Sequence, residues 1–171
     1  MSQRKYYLCE FRLDGRRLYI VWYSDDKDGL VRFKNGKIVS FAGMHEVREF
    51  CHANGMSLVP EPAAVYDFDV IAQWCDHPAA ESIDPPSFLN AWNMLRDANS
   101  LKSDVLNLCD ISESRADKVY EKLFFGNNLP AMTPEGAGYE PIWSQDEMET
   151  LSCIYRLGLA ELRAALDGIS H

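Results

Sequence analysis

Asp84-Pro85-Pro86-Ser87-Phe88-Leu89-Asn90-Ala91-Trp92-Asn93-Met94-Leu95-Arg96-Asp97 reads as a well-started helix in the middle of the chain. Phe88, Ala91, Trp92 and Leu95 fall at i, i+3, i+4 and i+7, so they share one face. Asp84 can accept from the free amides of the first turn, and Pro85 stands where a missing N–H costs nothing. A Trp and a Phe on one face bury much area. The spacing therefore predicts a helix that joins the two halves of the chain on either side of it.

The N-terminal side has the period of strands. Residues 5–13 alternate, with Tyr7, Cys9, Phe11 and Leu13 on one face and Glu10 and Arg12 on the other. Asp14-Gly15 supplies a positive-φ turn. Residues 17–23 are apolar on both faces, as in a central strand covered on both sides. Residues 30–34 and 37–41 flank Asn35-Gly36, a strong hairpin signal. Residues 44–54 read as a helix closed by Asn54-Gly55. The expectation is an α+β protein. Residues 1–59 form a four-stranded antiparallel sheet with one covering helix. Residues 60–171 form a helical part that shares the same core within a single domain.

After Pro60-Glu61-Pro62 the period changes to 3.6. Asp67 caps a helix bearing Phe68, Ile71, Ala72 and Cys75. Residues 101–108 fit neither period clearly. Asp110 is expected to start a further helix, with Glu113 as capping-box partner and Ala116, Val119, Tyr120 and Leu123 on its buried face. Residues 126–142 form a long loop rich in turn residues, a kind of segment that is often functional. Ser144-Gln145-Asp146-Glu147 is a full capping box, and the helix after it is expected to run toward Gly168.

A chain of 171 residues, 47% of them hydrophobic, can bury a sizeable core. It contains no apolar run of membrane-spanning length, and residues 6–13 carry Glu10 and Arg12, which fits a strand and not a signal peptide. The five cysteines, Cys9, Cys51, Cys75, Cys109 and Cys153, are widely spaced among apolar residues. They read as free thiols in a reduced cytoplasmic compartment. Charge is uneven. Residues 1–55 hold ten basic and seven acidic side chains (+3), and residues 56–171 hold seven and nineteen (−12). An acidic surface disfavours nucleic acid and anionic lipid as direct partners.

Candidate chemistry is sparse. His45 and His52 stand seven residues apart on one helix, too far for one metal without a third element. Residues 24–29 have some of the acids of a calcium loop, but strands flank them and position 12 would be Asn35. No G-x-S-x-G elbow, phosphate-binding glycine loop or cysteine-hydrolase signature appears, and no cofactor is expected. A hydrolase using Cys51, Cys75 or Cys109 with a histidine stays open on composition alone, as does an adaptor or scaffold role. Asn90, Asn93, Asn127 and Asn128 are expected to pin the loop over 126–142.

The wording Phe88-Leu89-Asn90-Ala91-Trp92-Asn93, Tyr120-Glu121-Lys122-Leu123-Phe124, Gly126-Asn127-Asn128-Leu129-Pro130, and Tyr139-Glu140-Pro141 with Trp143 resembles immunity proteins of bacterial contact-dependent growth inhibition systems. The resemblance covers the chain from about residue 17 onward. It implies a small cytoplasmic, non-enzymatic protein that binds the C-terminal toxin domain of a large exported protein and blocks it. Many such toxins are nucleases, whose basic clefts an acidic inhibitor would match. The resemblance carries no shared inhibitory residue across. Charge alone marks Asp67, Asp69, Asp76, Asp84, Asp110, Glu113, Asp117 and Glu121, on the polar sides of the later helices, as the toxin-binding candidates.

Overall fold

Asp14 and Gly15, at φ 55° and 70°, turn strand β1 (Lys5–Leu13) into β2 (Arg16–Ser24). Paired positive φ values match the right-handed twist of the flanking strands. The computed structural model describes residues 4–101 and 103–166. It has the expected α+β composition. The two-sided strand is as read. Leu18 and Ile20 of β2 enter one buried cluster, and Tyr19 and Val21 enter another on the opposite face.

The sheet differs from the four-stranded antiparallel expectation. It has five strands and is mixed, because β5 (Ala64–Asp67) lies parallel to the outer edge of β1. In a meander that edge would leave a row of backbone groups unpaired, and the chain returning along it satisfies them. Four residues, two of them alanine or aspartate, give too weak a strand pattern to be seen beforehand. Residues 30–41 form less regular strand than expected. Only β3 (Gly29–Leu30) and β4 (Ser40–Phe41) pair with β2. The Asn35-Gly36 hairpin closes through Arg32 and Ile38, and Ile38 also donates to Ala165 O at 2.8 Å. The hairpin thus reaches across to the far end of the chain.

Helix α1 (Met44–Ala53) lays Val47 and Cys51 on one face of the sheet, beside Leu8, Tyr19 and Val21. The opposite face carries the remaining helices. Helix α2 (Phe68–Asp76) starts at Asp67, whose carboxylate accepts from Val70 N. Helix α3 (Pro85–Asp97) is the helix expected after Asp84. Its cap is Asp84 and its buried residues are Phe88, Leu89, Ala91, Trp92, Met94 and Leu95. Phe88 meets Trp74 and Tyr155 edge-on at 5.1 and 5.5 Å, and Trp92 meets Tyr120 and Tyr155 at 5.5 and 6.0 Å. The buried Tyr155 hydroxyl donates to Phe88 O at 2.6 Å, which satisfies its one polar atom. One continuous cluster therefore runs from Phe11 and Ile20 of the sheet through α3 to the last helix.

A short helix α4 (Ser103–Leu108) comes next, then α5 (Glu113–Gly126). Asp110 does not cap α5 as expected. It sits in the left-handed region at φ 52°, where α4 ends, and Ser112 is the cap instead, accepting from Arg115 N. Burial of Ile111 forces the chain to turn before the new helix can begin. Helix α6 (Gln145–Ala165) starts on the expected capping box of Ser144 and Glu147. It stops at Ala165, where Leu166 becomes extended and bridges Ile38; Gly168 lies outside the described residues. The expectation of free thiols throughout fails at one pair: Cys109 and Cys153 form a disulfide that ties the segment after α4 to α6. Wide spacing in sequence hides that pair, since two helices bring the sulfurs together. No described helix is long and apolar enough to cross a membrane.

Candidate functional site

Half of the carboxylates marked by charge are used inside the fold. Asp67 caps α2 and stands 3.5 Å from Arg12. Asp69 accepts from the Asp14 and Gly15 amides at 2.6 and 2.9 Å and so holds the first hairpin turn. Asp76 lies 3.5 Å from Arg156 of α6, and Asp84 accepts from the Ser87 amide and hydroxyl at the start of α3. Asp110 is exposed at the α4–α5 turn. These five are spread along the chain's turns and helix starts and do not converge.

Glu113, Asp117 and Glu121 do converge. They are exposed and succeed one another at i, i+4 and i+8 along α5, and Phe125, 53% exposed, is the next step of the same stripe. None of the three is in an ion pair among the described residues. Like charges at this spacing cost an isolated helix a few tenths of a kcal/mol each. The cations of α5 are committed to another side. Arg115 donates to Asp146 O at 2.9 Å, Lys118 is 4.0 Å from Glu147, and Lys122 is 2.7 Å from Glu147. Packing against α6 therefore sorts the charges and leaves an uncompensated acidic edge.

The acidic edge leads into the long loop. Asn128, at φ 48°, donates its amide to Tyr139 O at 3.0 Å and accepts from Tyr139 N at 2.7 Å. A Cβ on Gly126 would come within 2.7 Å of Pro141, so the outgoing and returning ends of the loop touch. Ends that meet over about a dozen residues make an Ω-type loop, compact although it has no regular structure. Trp143 is buried at its exit, while its neighbour Ile142 is 86% exposed. Lys122 fixes that contrast by donating to Ile142 O at 2.7 Å and lying 5.5 Å over the Trp143 ring. Of the four asparagines expected to pin the loop, Asn128 does so. Asn93 instead accepts from the Tyr120 hydroxyl at 3.0 Å and ties α3 to α5.

The thiols and imidazoles lie elsewhere. Cys9, Cys51 and Cys75 are free and buried. Burial pushes the Cys9 thiol up to about 12 and Cys75 to about 11, and raises Cys51 as well. A thiol held protonated at neutral pH is a poor nucleophile. Cys51 and His52 line a groove of about 770 Å³ beside Pro60 and Pro62, but the two are consecutive on α1. No group of three or more potential metal ligands occurs among the described residues. A cleft of about 560 Å³ is lined by Arg4, Lys27, Arg32 and Arg96 together with Asp28 and Asp97. There Arg4 pairs with Asp25 at 2.9 Å, and Arg32 donates to the carbonyls of Gly36 and Ala98.

Comparison with protein-family profiles, curated proteins and solved structures returns no match.

The apolar side chains of the loop are the functional candidates that charge does not mark. The signal is present in the sequence: between Lys122 and Arg156 there is no Lys or Arg, and within residues 126–142 Leu129, Met132, Tyr139 and Ile142 interrupt a segment rich in turn residues.

Proposed function

We propose that this chain is a non-enzymatic immunity protein that binds and neutralises a cognate toxin domain, a basic nuclease. The observation that carries the reading is the edge formed by Glu113, Asp117 and Glu121, running without a break into exposed Phe125. A phosphate-binding cleft is cationic, so carboxylates at helical spacing match it and steer the encounter. The resemblance in the wording around Trp92, Tyr120 and Tyr139 supports the same reading. The raised, buried thiols favour it over a cysteine-dependent hydrolase, and the sorted charge of α5 favours it over a neutral scaffold.

The test starts from the adjoining genes, where the reading predicts a large exported protein with a toxic C-terminal domain, and co-expresses that domain with this chain; the absence of such a gene also contradicts the reading. The reading predicts that cells survive the toxin domain only when this chain is present, and that the two copurify. Survival unchanged by this chain, or full toxin activity at a molar excess of it, contradicts the reading.

A further inference from the structure

Five of the nine exposed large hydrophobic residues of the described chain lie between Phe125 and Ile142: Phe125, Leu129, Met132, Tyr139 and Ile142, each 40% to 86% exposed. A monomeric surface does not normally concentrate such groups without use. Looseness is not the cause. The Asn128–Tyr139 pair and the Gly126–Pro141 contact close the loop on itself, while the Lys122 bond to Ile142 O and the approach of Pro85 to Gly126 tie its two ends to α5 and α3. The chain had a buried place for one side chain at the loop exit and gave it to Trp143.

Charge says what covers the patch. Residues 123–155 contain Glu135, Glu140, Asp146, Glu147 and Glu149 and no Lys or Arg. Glu147 is satisfied by Lys122, and the rest are exposed. A second copy pairing through the same face would bring acid against acid, which costs association, and the cations of this chain's own Arg4–Arg32 cleft are offset by Asp25, Asp28 and Asp97. A partner with an apolar recess rimmed by Lys and Arg would match both properties at once.

We propose that the loop over 126–142, together with Phe125 at the end of α5, is the anchor of the complex, its apolar side chains seated in a cation-rimmed apolar recess of the partner protein. The proposal rests on the toxin-binding reading and adds a division of labour to it. The acidic edge of α5 governs how fast the partners meet, and the loop governs how long they stay together. Interface energy resides in a few buried anchors, while rim charge acts mainly on association.

The experiment measures association and dissociation rates of the neighbouring toxin domain with full-length protein carrying Ile142→Ser, Met132→Ser or Leu129→Ser, alone and combined. Val70→Ser, at an equally exposed apolar site outside the loop, is the control. The expected result is a dissociation rate raised at least about tenfold by the combined loop variant, with an association rate within about twofold of the parent and no effect of Val70→Ser. A loop variant that dissociates as slowly as the parent overturns the anchor. Amide exchange over 129–140 provides a second readout that needs no variant: slowing on complex formation supports the anchor, and unchanged exchange overturns it. If the parent protein does not bind the toxin domain at all, the functional reading fails and the anchor fails with it. Tight parent binding with an indifferent loop removes the anchor alone.

Discussion

The Asn128 side chain hydrogen-bonds both backbone groups of Tyr139, accepting from its N–H at 2.7 Å and donating to its carbonyl at 3.0 Å, across eleven residues of loop. It acts as a one-residue substitute for a strand neighbour. Asn128→Ala removes both bonds and a third, from the side-chain amide to Gly126 O at 3.0 Å, and places alanine at φ 48°, where asparagine is better tolerated. Each lost bond is worth about 1 kcal/mol. Amide exchange over 129–140 should therefore accelerate by about tenfold or more, with little change in the protection of α3 and α6. Asn128→Asp keeps the acceptor and loses the donor, so it should fall between the parent and Asn128→Ala. Exchange unchanged in both would mean that the loop is held by other contacts.

Glu147 makes the molecule sensitive to acid. Burial works to raise its pKa, but the bonds from Lys122 and the Ser144 amide outweigh it, and the carboxyl sits below its ordinary value of 4.5. The unfolded chain then binds the proton more readily than the folded one, so stability from this group is present above about 4.5 and is lost as pH falls through the lowered value. Asp14, held down by its twofold bond to Arg163 against the opposing effect of burial, behaves the same way. Denaturant titrations from pH 7 to pH 3 should show a steep loss in the parent. Glu147→Gln should flatten that slope and lower stability by about 2 kcal/mol at pH 7, since a bond to a charged partner is lost.

Asp97 has the opposite sign. Burial raises its carboxyl above the ordinary 3.8, against the pull of the Trp22 indole N–H, which donates to it at 3.0 Å. The folded state therefore holds the proton more tightly, and ionisation costs stability as pH rises through the raised value. Asp97→Asn can still accept from Trp22 and carries no charge to bury. It should be more stable than the parent at pH 7, with the difference shrinking toward pH 3. Destabilisation at pH 7 would show that the ion pair with Arg96, at 4.0 Å, outweighs the cost of burying the charge.

The Cys109–Cys153 disulfide closes a loop of 44 residues that contains α5 and the Ω-type loop. On a chain-entropy account such a closure stabilises by about 4 kcal/mol, an upper figure in practice. Peptide mapping of the oxidised protein should find this linkage and leave Cys9, Cys51 and Cys75 as thiols. Reduction, or a Cys109→Ser, Cys153→Ser double variant, should lower the denaturant midpoint substantially while α3 remains packed on the sheet. A different pairing, or none, would contradict the placement of α4 against α6.

Much of the fold is legible in the sequence because its signals are local. The Asp14-Gly15 turn, the two-faced β2, the Asp84 and Ser144 caps and the face of α3 each depend on residues within one or two turns of each other. The features that escape a sequence reading depend on distant partners. β5 exists because β1, far off in the chain, offers a free edge, and Cys109 finds Cys153 only once α4 and α6 are packed. The candidate site is half legible for the same reason. Charge marks Glu113, Asp117 and Glu121, but it equally marks Asp69 and Asp76, whose partners, the Asp14 amide and Arg156, are remote in sequence. Ile142 carries no such mark, because an apolar residue at a loop exit reads as buried until Trp143 is seen to take the inside position.

Inhibition is measured most directly by titrating this chain into the toxin domain predicted from the adjoining genes, with residual toxin activity monitored against molar ratio. The parent should abolish activity near one-to-one. A variant combining Glu113→Gln, Asp117→Asn, Glu121→Gln and Ile142→Ser should leave most of it at the same ratio, with a thermal unfolding midpoint close to that of the parent. No inhibition by the parent at a tenfold excess, or equal inhibition by parent and variant, would contradict the account.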